Sequence, residues 1–101
     1  MRTIALVQLD KRGPALVLTR ATKLHVRTWV TIAPITSTRR GISSEVDVGP
    51  RNGLDHDSVV SCGNITTIPV DAVLQPLGLL FDDQEPALAA AISDAFDLFL
   101  P

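Results

Sequence analysis

The hydrophobic pattern of this chain changes period once, near Asp82, and that change constrains the fold more than any other feature. Up to that point the apolar residues come in short runs broken by Gly, Pro and polar residues. Ile4–Leu9, Ala15–Thr19 and Thr28–Ile35 are such runs, the last rich in β-branched residues and holding Trp29. Branched and aromatic side chains suit a pleated, half-buried surface, so each run is expected to be a strand. Asp10-Lys11-Arg12-Gly13 reads as the turn between the first two. Pro14 is expected to open the second strand, because proline cannot donate to a central ladder. From Ile42 to Val48 the pattern alternates. Ile42, Val46 and Val48 share one face and Ser43, Glu45 and Asp47 the other, which predicts a half-buried strand. Gly49-Pro50-Arg51-Asn52-Gly53 is a turn cluster. Ser58–Cys62 and Ile65–Ile68 read as short strands on either side of Gly63, and Leu77–Phe81 as a last one.

Beyond Asp82 the spacing becomes helical. Leu88, Ile92, Ala95, Phe96 and Phe99 fall on one side and Ser93, Asp94 and Asp97 on the other. Asp82 or Asp83 is the expected N-cap, with Glu85 completing a capping box, and Pro86 is tolerated because it falls within the first turn or so. Short strands followed by one helix predict a mainly β fold with helix (α+β), a small barrel closed or flanked by a C-terminal helix. A length of 101 residues suits one domain, residues 1–101. So small a core would gain from burial against a second copy.

A formal charge of −2 conceals a strong asymmetry. All nine Lys and Arg lie in the first 51 positions against three acids, a net of +6, whereas positions 52–101 hold eight acids and no Lys or Arg, a net of −8. One reading is a basic surface for a polyanion; the other is that the acids cap and solubilise a C-terminal helix. The single cysteine, Cys62, forms no internal disulfide, which suits a reducing cytoplasm. The N-terminal apolar run is broken by Gln8 and Asp10, has no cleavage signature, and is too short to span a bilayer; no other stretch approaches that length.

Familiar catalytic signatures are missing: there is no phosphate-binding glycine loop, His-rich metal pattern or nucleophile elbow. His25 lies in a polar segment between strands. His56, between Asp55 and Asp57, is either a general acid or base or, as the commoner case, a solvated turn residue. Cys62 on an apolar strand reads as a small core residue. Trp29 reads as core or dimer interface, since an aromatic content of 4% leaves little for base stacking. Pro34-Ile35-Thr36-Ser37-Thr38-Arg39-Arg40-Gly41 is more distinctive. A strand ends there and delivers three hydroxyls and two guanidiniums into one loop, groups that donate to phosphate oxygens. A polar hairpin loop with solvated arginines would look the same.

Three blocks, taken in order, carry a resemblance that bears on this loop. Gly13-Pro14-Ala15-Leu16-Val17-Leu18-Thr19-Arg20, then Ile32-Ala33-Pro34-Ile35-Thr36-Ser37-Thr38-Arg39-Arg40-Gly41, then Ser58-Val59-Val60-Ser61-Cys62-Gly63-Asn64-Ile65-Thr66-Thr67-Ile68 together resemble the MazF/PemK toxin family, in its actinobacterial-looking branch. The resemblance spans roughly the whole chain. It implies an SH3-like barrel working as a homodimer and a toxin that cleaves single-stranded RNA selectively, leaving a 2′,3′-cyclic phosphate and a 5′-hydroxyl. It implies no metal and no cofactor. It also implies a cognate MazE-like antitoxin, whose acidic, extended tail would run over the basic half.

The family relies on an arginine near the start of the second strand and a threonine at the end of the third. Thr36 matches the threonine. The arginine usually stands immediately before the proline; that place is Gly13 here, and Arg12 stands one residue earlier. The resemblance therefore implies Arg12 and Thr36 as catalytic, with Ser37, Thr38, Arg39, Arg40 and Asn64 as RNA contacts. Because an arginine stays protonated up to pH ~12, Arg12 is expected to stabilise charge or donate a proton. The alternative implied by the same likeness is a catalytically weak binding module that acts through its antitoxin or another protein, as the related CcdB toxins bind a topoisomerase.

Overall fold

The computed structural model describes residues 1–19 and 28–98. Arg20, Lys23, His25, Arg27 and Phe99 lie outside the described residues. The strands are β1 (Arg2–Gln8), β2 (Arg12–Val17), β3 (Trp29–Thr36), β4 (Glu45–Val48), β5 (Ser58–Ser61), β6 (Thr66–Pro69) and β7 (Val73–Leu80), followed by helix α1 (Glu85–Ala95). They form one curled antiparallel sheet in the order β4-β5-β3-β2-β1-β7, with β6 joined to β3 beside β5. The result is a half-barrel, mainly β with one C-terminal helix, as expected. Its curl has a local cause: the β1–β7 pairing shifts register between Ile4 and Ala5 and again between Leu6 and Val7, and such bulges bend and twist a strand.

The period of two along the central strands divides the core into two layers. Ile4, Leu16, Ala33 and Ile35 point into one, where they meet Val46, Val48, Val60, Cys62 and Leu80 and are covered by Leu88 and Ala91 of α1. Ala5, Val7, Ala15, Val17, Val30 and Ile32 point into the other, closed by Ile68 of β6. β1, β2 and β3 thus bury both faces, which is why they read as apolar runs rather than as clean alternation.

Four expectations fail for identifiable reasons. Pro14 sits inside β2, opposite Leu6, but the β2–β3 pairing begins only at Ala15, so one side of the strand is unladdered at the proline. Ile42 is exposed and precedes β4, because the Glu45 carboxylate accepts the amides of Arg40, Gly41 and Ile42 and folds that segment into a loop. Asp82 and Asp83 do not cap α1. They lie in a 3-10 turn before it and pair with the Met1 amine and Arg51, while Glu85 pairs with Arg2. Phe96 is 52% exposed and α1 ends before it, so it stays outside the core that helical spacing predicted. Of the two readings of Trp29, its 56% exposure removes only the core of this chain. Cys62 is fully buried, as expected.

The turn cluster at 49–53 does more than reverse the chain. Asn52 is 1% exposed. Its Oδ1 accepts the Gly49 amide at 3.1 Å, and its Nδ2 donates to the Leu79 carbonyl at 2.8 Å and to Gln84 Oε1 at 2.7 Å. Gln84 Oε1 also accepts the Phe81 amide at 3.0 Å. One amide therefore ties the turn to β7 and to the residues leading into α1. The approach is close enough that a Cβ on Gly78 would collide with the Asn52 carbonyl. Gly53 takes φ +88 there, a conformation that favours glycine. We expect Asn52→Ala to lower unfolding free energy by about 2–3 kcal/mol, since it strands buried partners. Asn52→Asp should fare no better, because a carboxylate cannot donate to Leu79. Urea denaturation followed by circular dichroism checks this; a loss under about 0.5 kcal/mol, the range of an ordinary surface change, would contradict it.

Candidate functional site

Three segments far apart in sequence meet at one end of the sheet. β2 begins there with Arg12, Gly13 and Pro14. β3 ends there with Ile35 and Thr36, followed by Ser37. The stretch after the Asn52 turn supplies Gly53, Leu54, Asp55, His56 and Ser58. Together with Leu6 of β1 and Leu77 of β7 they line a cleft of about 480 Å³. Its apolar lining is Leu6, Pro14, Ile35, Leu54 and Leu77, and its polar groups are Arg12, Thr36, Ser37, Asp55, His56 and Ser58.

Strand pairing explains the convergence. β2 and β3 pair through Ala15 and Pro34, and carrying that antiparallel register past its last pair sets Gly13 opposite Thr36. On its other edge β3 pairs Thr36 with Val59, which brings the start of β5 and the residues before it alongside. Arg12 therefore reaches the cleft from one residue before the family position. Its Nε donates to Gln8 Oε1 at 3.1 Å, and its terminal nitrogens have no partner among the described residues. Gly13 has open space where a side chain would stand. A shallower groove of about 370 Å³, which includes Lys11, shares Arg12, Gly13, Pro14 and Ile35 with the cleft, so the two adjoin across that bare backbone.

Thr36 is oriented by its own chain. Its Oγ1 accepts the Thr38 amide at 3.1 Å, which leaves the hydroxyl proton to donate outward. On the facing wall the Ser58 hydroxyl donates to the His56 carbonyl at 3.1 Å and fixes that turn. His56 and Asp55 thus belong to the same cleft as Arg12 and Thr36. From sequence His56 read more readily as a turn residue. No local pattern places it in one cleft with Thr36; the β3–β5 pairing, which sets Thr36 against Val59, brings its segment there.

The remaining sequence-derived candidates stand outside this cleft. Arg39 pairs with Asp47 of β4, two strands from β3 in the sheet. The backbone amides at Arg40, Gly41 and Ile42 are held by Glu45. Thr38 contributes its amide to Thr36, and Asn64, exposed in the turn after β5, donates to Ser61 Oγ at 2.8 Å. Burial pushes the Cys62 thiol up, consistent with an inert core residue. No group of three or more His, Cys, Asp or Glu among the described residues is arranged to hold a metal ion.

Charge also organises the loop after Thr36. Partial desolvation, the largest single influence on Glu45, pushes its carboxyl up, but the three backbone amides and the nearby Arg39 charge together outweigh it and hold it below the usual glutamate range. A depressed folded value means the anchoring is complete above the ordinary glutamate pKa and is lost as pH falls through the folded one. We expect the Arg40, Gly41 and Ile42 amide resonances to titrate together, with a midpoint below the ordinary glutamate value of about 4.3. A midpoint at or above that value would contradict the anchoring, and Glu45→Gln should abolish the transition.

Comparison with known proteins agrees with this architecture. The sequence profile of the PemK-like, MazF-like toxins of type II toxin-antitoxin systems matches residues 4–96. The chain is 53% identical over 98 residues to endoribonuclease MazF3 of Mycobacterium tuberculosis, covering 97% of this chain and 95% of that one. Its fold superposes on the Mycobacterium tuberculosis toxin MazF-mt6 with a TM-score of 0.96 at 52% identity, covering 98% of this chain and all of that one. It also superposes on a mycobacterial endoribonuclease solved with its cognate antitoxin, with a TM-score of 0.85 at 24% identity over 98% of this chain and 95% of that one, a likeness of fold. With the family pattern running from β1 to the end of the helix, this chain belongs to the PemK-like, MazF-like toxin family of type II toxin-antitoxin systems.

Proposed function

We propose that this toxin is an endoribonuclease that cuts single-stranded RNA in the cleft between β2, β3 and the 53–58 segment. The observation that carries the reading is the convergence of Arg12 and Thr36 in one cleft from different strands. The endoribonuclease named among its relatives, at 53% identity, supports the same activity.

The ribose 2′-hydroxyl is the nucleophile, so the protein need not provide one. The 2′-oxygen bonds to phosphorus, the bond to the 5′-oxygen breaks, and the products carry a 2′,3′-cyclic phosphate and a 5′-hydroxyl. What the protein must supply is charge stabilisation on a five-coordinate phosphorus, best done by fixed donors aimed at the developing charge. Thr36 donates from a hydroxyl oriented by the Thr38 amide. Arg12 presents its terminal nitrogens from an Nε tethered to Gln8, matching phosphate geometry with a planar fork. Ser37 adds a hydroxyl at the rim. Thr38, Arg39, Arg40 and Asn64 stand outside the cleft, and we assign them to flanking phosphates or bases. Arg39 contributes least, because Asp47 already partners it.

The chain is further proposed to work as a homodimer in the cytoplasm, where buried Cys62 stays reduced. A MazE-like antitoxin partner follows from the family, its acidic tail competing with RNA for Lys11 and Arg12. No helix among the described residues is long and apolar enough to cross a membrane.

The test is incubation of purified protein with a long, unstructured RNA in EDTA, with cut ends mapped by primer extension. We expect discrete cuts with cyclic-phosphate ends, slowed about 10²–10³-fold by Arg12→Ala or Thr36→Ala, the usual effect of removing one oriented donor. Absence of cutting by the intact protein across varied RNAs would contradict the reading.

A further inference from the structure

Cleavage by a 2′-hydroxyl needs a proton acceptor as well as charge stabilisation. Arg12 does not qualify, since a guanidinium remains protonated up to pH ~12 and has no acceptor site. Thr36 Oγ1 already accepts the Thr38 amide, and hydroxyls are poor bases. Two groups lining the cleft accept protons: Asp55 and His56. Base strength separates them. Carboxylates of the aspartate type have a reference pKa near ~3.9 and imidazoles near ~6.5, and general-base catalysis is most efficient when that value lies near the working pH.

Geometry allows the histidine this role. Its backbone is held on both sides, by the Ser58 hydroxyl after it and by the buried Asn52 clasp before it. Its imidazole has no hydrogen-bond partner among the described residues and is exposed at the cleft. The charged groups facing it are Arg12 from β2 and Asp55 from its own segment. β1, β3 and β7 present Leu6, Ile35, Thr36 and Leu77, and Ser37 follows β3; none of these is charged. Asp57 belongs to another depression, with Asp47 and Arg51, and its Oδ1 lies 3.0 Å from where a Cβ on Gly49 would stand.

We infer that His56 is the general base of the reaction, a role that rests on the endoribonuclease reading above. The neutral imidazole takes the proton of the ribose 2′-hydroxyl as the 2′-oxygen bonds to phosphorus. The 5′-oxygen departs with the electrons of the broken P–O bond and takes a proton from water in the open cleft. The imidazolium then returns its proton to solvent, so no proton is gained or lost overall.

The experiment uses the full chain and a short RNA spanning one mapped cut, with kcat and KM measured against pH. His56→Ala should lower kcat about 10²–10⁴-fold, the usual contribution of a positioned base, with KM little changed and the same thermal unfolding. The ascending limb of the wild-type pH profile should vanish in the variant, and added imidazole should restore part of the rate. An unchanged rate and limb in His56→Ala would overturn the assignment, as would a slower variant that keeps the limb and ignores imidazole. Loss of the limb in Asp55→Asn instead would give the role to the carboxylate. Full recovery of His56→Ala on an RNA with sulfur at the scissile 5′ position would make His56 the acid. Failure of the wild-type chain to cut any RNA overturns the endoribonuclease reading and this role together, whereas cutting that His56→Ala leaves untouched overturns this role alone.

Discussion

The buried side chain of Asn52 holds together three parts of the fold that the candidate site needs in fixed relation. Its amide joins the 49–53 turn to the β7 backbone and, through Gln84, to the approach to α1. Leu77 of β7 and the run from Gly53 to His56 form one wall of the cleft. The other wall is set by β2 and β3, whose pairing depends on two apolar layers. A hydrogen-bond network of this kind is worth little per bond but much when broken, because each partner is left buried and unpaired. No buried side-chain polar atom among the described residues lacks a partner. The cleft wall is thus held by directional bonds rather than by apolar contact alone.

Part of the charge asymmetry along the chain is resolved by pairs between its two halves. Arg2 pairs with Glu85, Arg51 with Asp83, and the Met1 amine with Asp82, so basic residues of the first half neutralise acids around the start of α1. Arg39 is taken up by Asp47. Exposed pairs of this sort add little stability, but they change the electrostatic reading. Among the described residues, Lys11, Arg12 and Arg40 have no acidic side-chain partner. Lys11 and Arg12 line the groove beside the cleft together with Asp10.

The parts of the fold that depend on local pattern were legible in the sequence. The switch to helical spacing located α1, and branched runs located β1, β2 and β3. The rest depends on partners distant in sequence. Ile42 alternates correctly with Val46 and Val48, yet a carboxylate at Glu45 captures the preceding amides and turns the chain away. Pro14 is acceptable within a strand only because β3 pairs further along. Asp82 and Asp83 have the composition of a helix cap but find Met1 and Arg51 instead. Arg12 and Thr36 were legible because strand ends and a family pattern marked them. His56 was not, because its place in the cleft follows from β3–β5 pairing and from the Asn52 turn. Arg39 and Arg40, marked by loop composition, and Asn64, marked by the family pattern, lie outside the cleft because the fold, not the local sequence, sets their distance from it.

The most direct measurement is a crystal structure of the full chain with an RNA spanning a mapped cut and carrying 2′-deoxyribose at the scissile nucleotide, which removes the nucleophile. The account predicts the scissile phosphate within hydrogen-bond reach of Arg12 and Thr36, with the 2′ carbon turned toward His56. RNA bound along the 37–42 loop or elsewhere, with no phosphate between Arg12 and Thr36, would contradict it.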